Sequence, residues 1–133
     1  MKRILLAYDG ADPARKALAT AADLAKKFEA SVTVVSVVPV HPGRAPIDPW
    51  DDPTVHQSQL HEASEALREL GIEAELMEPA GDPAVTIERI AARGDFDTIV
   101  IGARGLNTLE RFLQGSVSEH VATHSDATVV IAR

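Results

Sequence analysis

Apolar residues occur in two patterns along the chain: short continuous runs, and longer stretches with an apolar residue at every third or fourth position. The short runs are rich in β-branched residues, which predicts strands. Strands are predicted over residues 3–8, 32–38, 72–77, 98–101 and 128–131. Within residues 72–77 apolar and polar side chains alternate, as expected for an edge strand with one wetter face.

The stretches between these runs have the apolar spacing of amphipathic helices. Asp12 before Pro13, and Asp82 before Pro83, predict N-caps, and Gly71 suits the position just past a helix. A further helix is predicted over residues 116–124. The residues predicted to face inward are Ala14, Leu18, Ala21, Ala25 and Phe28, then Leu60, Ala63, Leu67 and Leu70, then Ile87, Ile90 and Ala91.

Strands and helices therefore alternate as βαβαβαβαβ. Continuous apolar strands separated by amphipathic helices predict a parallel sheet with helices on both faces, a three-layer α/β sandwich. The chain of 133 residues fits a single domain over positions 1–133. Residues 39–53 contain five prolines and a glycine and predict a long loop. Around Ile47 and Trp50 this loop is a candidate partner surface or lid, although packing of Trp50 on the domain is the favoured interpretation.

Composition excludes several classes of protein. The absence of cysteine excludes a disulfide scaffold and cysteine-based zinc or redox chemistry. The net charge of −7 argues against a nucleic-acid binder, which normally has a basic face. The apolar runs are too short for a membrane span or a secretory signal, so we expect a cytoplasmic protein. Any anionic ligand has to be held by local groups, because the overall field repels it.

The most informative candidate chemistry follows the fourth predicted strand. Residues 102–105 read Gly-Ala-Arg-Gly, and nine residues later Gly115 and Ser116 begin the last predicted helix. Open parallel sheets bind ligands beyond the carboxyl ends of their strands. Glycines let the backbone approach a phosphate, and a helix N-terminus offers N–H donors and a positive dipole. Each element alone could be a turn or a cap, but their joint spacing predicts a phosphate site.

The pattern Gly-x₂-Gly-x₉-Gly-Ser resembles the nucleotide-binding motif of the universal stress protein family. The resemblance covers nearly the whole chain, through residues 4–10, 34–38, 97–105 and 115–121. It implies a Rossmann-like, adenine nucleotide alpha hydrolase-like fold with a five-stranded parallel sheet in the order 3-2-1-4-5. It also implies ATP across strands one and four, accompanied by Mg²⁺, because the complete glycine pattern is typical of the ATP-binding branch.

The resemblance gives individual residues expected roles. Asp9 matches an acidic residue near the adenosine and the metal, which its carboxylate would reach through water. Val37 matches a backbone contact to the adenine, and residues 115–117 match the phosphate cradle. The full set of implied nucleotide contacts is Ala7, Asp9, Val37, Ile101, Gly102, Arg104, Gly105, Gly115, Ser116, Val117 and Ser118.

Several of these positions have a second interpretation. Asp9 could instead be a turn residue that caps the first helix. Arg104 and Arg111 could neutralise phosphate charge or lie solvated on the surface. This chain also departs from the family pattern, since Ala11 stands where a serine is common and Ser36 where a histidine is common.

Three functions are compatible with the sequence. The first is an ATP-binding stress-response or signalling module with slow or no hydrolysis. The second is a slow Mg²⁺-dependent ATPase, for which the sequence offers phosphate donors but no identifiable general base. The third is an interaction module that binds another adenine nucleotide, such as AMP or cyclic AMP. The full glycine pattern together with Asp9 favours the first of these, and the missing base argues against the second.

The remaining features concern the histidines and the last strand. His120 and His124 lie four residues apart, a spacing that a metal could use, but no third ligand is evident and a structural role is favoured. His56 and His61 belong to no motif. Strand 128–132 is apolar and would lie at a sheet edge, so we expect a homodimer through this strand, as is common in the family.

Overall fold

The structure is a computed structural model that describes residues 1–38, 53–103, 117 and 119–133. Its strands form one sheet in the order β3-β2-β1-β4-β5, and every neighbouring pair is parallel. The predicted strand order is therefore confirmed. The strands are β1 (Arg3–Ala7), β2 (Ser31–Val35), β3 (Ala74–Met77), β4 (Thr98–Gly102) and β5 (Thr128–Ala132).

Helices cover both faces of this sheet. They are α1 (Asp12–Phe28), α2 (Pro53–Glu69) and α3 (Pro83–Arg93), and residues 117 and 119–124 are the described part of the predicted last helix. In the described part of the chain, no helix combines the length and the apolar character needed to cross a bilayer. The predicted loop over residues 39–53 lies almost entirely outside the described residues, and so do Ile47 and Trp50.

The side chains of β1 show how the core is divided. Ile4 and Leu6 belong to the cluster beneath α1 and α2, whereas Leu5 belongs to the cluster beneath α3 and the last helix. All three side chains are completely buried. Successive strand residues point to opposite faces. A continuous apolar strand is therefore required by helices on both sides, as predicted.

The two predicted N-caps have different outcomes. The Asp82 carboxylate accepts a hydrogen bond from the Val85 amide at the start of α3, which confirms that prediction. The prediction for α1 is wrong, because Ala11 is the N-cap residue and Asp12 is already helical. Asp9 accounts for the difference, since its carboxylate accepts the Ala11 amide at 3.0 Å and closes the turn one residue earlier.

Some side chains and strand ends depart from the sequence predictions. The side chains of Phe28 and Leu70 are 52% and 40% exposed, so neither belongs to the core. Regular pairing in β2 stops at Val35, although Val38 still forms a single bridge with Ala80. The segment that follows β3 contains Pro79 at this point, and proline has no amide hydrogen to donate to a sheet ladder.

Candidate functional site

The predicted site lies at the carboxyl edge of the sheet, where β1 and β4 are neighbours. β1 leads through α1 to β2 on one side, whereas β4 lies on its other side. The chain direction across the sheet therefore reverses between these two strands. In open parallel sheets, ligands bind at such a switch point. The fold thus places the ends of β1 and β4 where the sequence predicted a ligand.

Two of the described site residues end the strands that meet at this edge. Ala7 and Gly102 are the last residues of β1 and β4. Ile101 is buried, and Ala7, Val37 and Val117 pack as partly buried residues against the cluster that contains it. The remaining predicted contacts lie outside the described residues: Arg104, Gly105, Gly115, Ser116 and Ser118, together with Arg111.

Asp9 has a local role at this edge. Its Oδ1 accepts the Ala11 amide hydrogen at 3.0 Å, and the next residue, Gly10, has a positive φ of 79°. Asp9 therefore organises the turn between β1 and α1, which is one half of the second interpretation given to it; the other half, a cap on α1, is not seen, because α1 has no side-chain cap. The carboxylate is only partly buried, so this turn also holds a negative charge at the edge of the sheet.

Gly102 is required by helix packing. A Cβ built on it would lie 2.4 Å from the carbonyl carbon and oxygen of Pro13 and 2.8 Å from the amide nitrogen of Ala14. The end of β4 therefore lies directly against the first turn of α1. A ligand at this edge would meet the N-terminal end of α1 as well as the end of β4. The favourable dipole of a helix N-terminus acts there.

Next to this turn lies a buried polar contact between two elements. The Ser36 Oγ, just past β2, lies 2.6 Å from Nδ1 of His56 in the first turns of α2. Ser36 is 1% exposed and His56 is 6% exposed. Gln59 lies between this contact and the turn at Gly10. Its Oε1 accepts a hydrogen bond from the Ser36 hydroxyl at 3.4 Å, and its Cγ would lie 3.2 Å from a Cβ built on Gly10.

The other ring nitrogen of this histidine is unusual. His56 Nε2 is buried and has no hydrogen-bond partner among the described residues. A buried polar atom without a partner is unfavourable by about 1–3 kcal/mol. Sequence reasoning missed this contact, because Ser36 appeared only as a departure from the family pattern and His56 as a residue without a motif. The serine at position 36, where a histidine is common in the family, was the one feature of the sequence that pointed to this contact.

Tyr8 anchors the beginning of the same turn. Its hydroxyl donates to Glu62 Oε1 at 2.9 Å, and Arg15 Nε donates to the same oxygen at 3.2 Å. Burial, followed by the hydrogen bond to the Glu62 carboxylate, raises the pKa of Tyr8 to about 12. Arg15 also pairs with Asp12 at 3.3 Å. The positive charge of Arg15 is thus matched by two carboxylates at this end of α1.

These features define a parallel α/β protein with a switch point between β1 and β4. The sequence matches the model of the universal stress protein family over residues 1–133. The chain belongs to that family. It is 30% identical to the stress response protein NhaX of Bacillus subtilis over 161 residues, which cover 98% of this chain and 97% of the relative.

Solved structures of the family have the same fold. One is a universal stress protein from Archaeoglobus fulgidus in complex with dAMP, with a TM-score of 0.76 and 26% identity over 100% of this chain and 98% of the other. A second is a universal stress protein in complex with cAMP, with a TM-score of 0.79 and 21% identity over 99% and 97% of the two chains. Both comparisons support the fold described above.

Proposed function

We propose that this universal stress protein binds ATP with Mg²⁺ at the carboxyl edge between β1 and β4, as a nucleotide-dependent stress-response or signalling module. The observation that carries the proposal is the position of the glycine pattern. Its first glycine, Gly102, is the last residue of β4 and lies against the start of α1 at the switch point. The pattern continues in sequence through Gly105, Gly115 and Ser116.

The solved relatives support an adenine nucleotide as the ligand. The Archaeoglobus fulgidus protein, 26% identical to this chain, is in complex with dAMP. The distinctive part of our proposal is the triphosphate. Backbone N–H groups around Gly105, Gly115 and Ser116 would hold its phosphates, which an acidic protein with a net charge of −7 can bind only through local donors.

Asp9 fits the role of a residue that holds Mg²⁺ through water. Oxygen ligands suit Mg²⁺, which gives up its water reluctantly and is usually held by one or two carboxylates and the phosphates. The carboxylate stands at the end of β1, partly buried and fixed by the Ala11 amide. The ion would neutralise phosphate charge next to this carboxylate. We propose no general base, so ATP would be hydrolysed slowly or not at all.

The test of the phosphate cradle is the substitution Gly115→Asp, which puts a carboxylate where the phosphates would lie. We expect ATP affinity measured by calorimetry to fall at least about a hundredfold, because the added carboxylate and the phosphates carry like charges that repel at close range. The matched control is Gly71→Asp, which adds the same charge at a glycine with open space around it. If Gly115→Asp bound ATP as tightly as the parent chain, the proposed cradle would be wrong.

A mononucleotide is the alternative ligand, favoured by the relative in complex with dAMP. ATP and a mononucleotide would differ in how much of their affinity comes from the glycine pattern. If the glycine pattern holds a polyphosphate, ATP should bind more tightly than AMP, dAMP or cyclic AMP, and Gly115→Asp should remove that difference. Equal affinity for ATP and AMP in the parent chain would transfer the proposal to a mononucleotide.

A turnover measurement distinguishes a binding module from an ATPase. Phosphate release from ATP and Mg²⁺ should stay near the background rate if the protein is a binding module. An ATPase would give turnover that scales with protein and falls in Asp9→Ala. Turnover that scales with protein but is unchanged by Asp9→Ala would indicate a contaminating enzyme.

We also propose that the chain forms a homodimer through strand 128–132. In the described structure β5 is an edge of the sheet, and Ile131 in this strand is 36% exposed. An exposed apolar edge strand is a template for pairing with another chain. Light scattering at micromolar concentration should therefore show a dimer, and Ile131→Lys should shift it to the monomer. A parent chain that scatters as a monomer would contradict the proposal.

A further inference from the structure

Three potential metal ligands lie together on two neighbouring helices. Glu88 lies in the middle of α3, and His120 and His124 lie within the helical residues 119–124. One ligand atom from each of these residues lies within 4.8 Å of the other two. Glu88 is the third ligand that the sequence did not reveal, because it is 32 positions away from His120 and only the packing of the two helices brings it close.

The hydrogen bond of His124 determines which of its nitrogens can bind a metal. Its Nδ1 lies 2.9 Å from the backbone carbonyl oxygen of His120. A carbonyl oxygen only accepts, so Nδ1 carries the hydrogen and donates it. In the neutral imidazole this leaves a lone pair on Nε2. Metal-binding histidines have this same arrangement, with the second nitrogen donating to a carbonyl or a carboxylate.

Glu88 presents an oxygen that needs a cation. Its Oε1 lies 3.1 Å from Nε2 of His120, which is the distance of an ion pair when that histidine is protonated. The same oxygen is buried and has no hydrogen-bond partner among the described residues. The Glu88 side chain as a whole is only 22% exposed. A buried carboxylate oxygen without a donor is unfavourable. A metal ion shared with the adjacent histidine nitrogen would satisfy it.

We propose that Glu88, His120 and His124 form a Zn²⁺ site. Two imidazole nitrogens and one carboxylate are a recognised Zn²⁺ ligand set, which leaves a fourth position for water. Ligands held about 2.0–2.1 Å from a tetrahedral ion stand roughly 3.3 Å apart, close to the 3.1 Å between Glu88 and His120. The two imidazole rings stack with centroids 4.1 Å apart and planes 23° from parallel, so at least one ring has to rotate before both lone pairs can point at one ion.

The site opens onto a cavity far from the nucleotide edge. Glu88 and His124 line a cavity of about 750 Å³, together with Asp97 and Thr128. Asp97 and Thr128 lie at the amino ends of β4 and β5, opposite the carboxyl edge where Asp9 and Gly102 lie. Zn²⁺ binding here is therefore independent of ATP and of its Mg²⁺. The cavity gives the open coordination position room for water or a small anion.

The test is calorimetric titration of tag-free, nucleotide-free protein with Zn²⁺. We expect one Zn²⁺ per chain, and we expect His120→Ala and His124→Ala to weaken binding by at least about tenfold, the loss that even an outer-shell change can produce. Glu88→Gln, which keeps the size but removes the charge, should weaken it as well. His61→Ala is the matched control, since it removes an exposed histidine from α2.

Two further measurements make the outcome decisive. Zn²⁺ should raise the melting temperature of the parent chain and not that of the variants, while far-UV circular dichroism shows that the variants keep their helices. Mg²⁺ should produce no such shift in nucleotide-free protein, because it prefers oxygen ligands. The proposal is overturned if the parent chain does not bind Zn²⁺ stoichiometrically, if the histidine variants bind like the parent, or if Asp9→Ala removes the ion.

Discussion

At the scale of single residues, the contact between Ser36 and His56 links β2 to α2 beside the candidate nucleotide edge. The two side chains meet at 2.6 Å in a nearly solvent-free environment. Removing one partner of a buried hydrogen bond destabilises a protein by more than the bond's net contribution to stability. The group left behind stays buried with neither its partner nor water to bond to. The contact should therefore stabilise the protein even if it takes no part in binding.

Ser36→Ala tests this contact. The substitution leaves His56 Nδ1 buried without its 2.6 Å partner, so we expect the free energy of unfolding to fall by about 1–3 kcal/mol. Urea denaturation followed by circular dichroism measures the change. The control is Ser58→Ala, which changes an exposed serine of α2, the helix that contains His56. Its free energy of unfolding should stay within about 0.5 kcal/mol of the parent. Equal effects of the two substitutions would show that the buried contact has no energetic role.

Gly102 gives a second prediction at this scale. In Gly102→Ala the new Cβ would meet backbone atoms of Pro13 at 2.4 Å, so α1 has to move away from β4. Overpacking of this kind destabilises proteins by about 1–3 kcal/mol. Gly71→Ala is the comparison, because its new Cβ meets nothing within 4 Å and the only penalty is its positive φ of 84°.

The two alanine variants should also differ in ligand binding. Gly102→Ala displaces the start of α1 at the proposed nucleotide edge, so it should weaken ATP binding, whereas Gly71→Ala should not. Calorimetric titration of both variants measures this difference. Unchanged ATP affinity in a destabilised Gly102→Ala protein would show that the edge between β1 and β4 does not contact the nucleotide.

At the scale of secondary-structure elements, the starts of α1 and α3 depend on different groups. Asp82 caps α3 through its 3.0 Å hydrogen bond from the Val85 amide, whereas Asp12 lies inside α1 with a side chain that is 88% exposed. Asp82→Ala should therefore lower the free energy of unfolding by about 1 kcal/mol. Asp12→Ala should lower it by only a few tenths, since it removes a surface ion pair and a favourable dipole interaction. Equal losses in thermal or urea unfolding would restore Asp12 as a cap.

Asp97 makes the attachment of β4 to the beginning of the chain dependent on pH. Burial alone would raise its pKa, but hydrogen bonds from the Lys2 amide, the Thr98 hydroxyl and the Arg3 amide outweigh this and lower the pKa below its ordinary value of 3.8. A lowered pKa in the folded state means that the ionised carboxylate stabilises the fold. Its contribution is present above pH 3.8 and is lost as the pH falls through the folded-state pKa.

Asp97→Asn should therefore be less stable than the parent chain at pH 7. The difference should narrow as the pH falls below 3.8, because the carboxyl of the unfolded parent chain then takes up a proton while that of the folded chain still resists it. Urea denaturation of both proteins from pH 7 to pH 3 measures this. A difference in stability that stays constant over the whole range would show that the carboxylate charge is not what holds the two segments together.

The elements along the chain could be predicted from the sequence because they depend on local patterns, whereas the strand order in the sheet was implied by the family resemblance. The strands are continuous apolar runs, and Asp82 with Pro83 marks a helix start within two adjacent residues. Contacts between side chains of different elements could not be predicted in this way. Ser36 and His56 are 20 residues apart, and they meet only because α2 packs on β2. The glycine pattern predicted the edge of the site, whereas the role of Gly102 in helix packing required the structure.

At the scale of the whole molecule, the two ends of the sheet have different chemistry. The carboxyl edge holds Asp9 and Gly102, and the cavity at the amino edge is bordered by Glu88 and His124. A covered parallel sheet between them separates the proposed nucleotide and Zn²⁺ sites. The third surface, β5, is an edge strand through which we propose that copies of the chain pair. Nucleotide, metal and partner are thus proposed to bind at separate surfaces of the chain.

Nucleotide binding between β1 and β4 is best tested by identifying and rebinding the nucleotide. Purified protein is denatured and any released nucleotide is identified, and the emptied, refolded protein is titrated with ATP and Mg²⁺ by calorimetry. We expect ATP, either released or bound at close to one per chain, with affinity that Gly115→Asp lowers at least about a hundredfold and Gly71→Asp preserves. If no adenine nucleotide is released and none binds, the fold described here stands but the proposed nucleotide site does not.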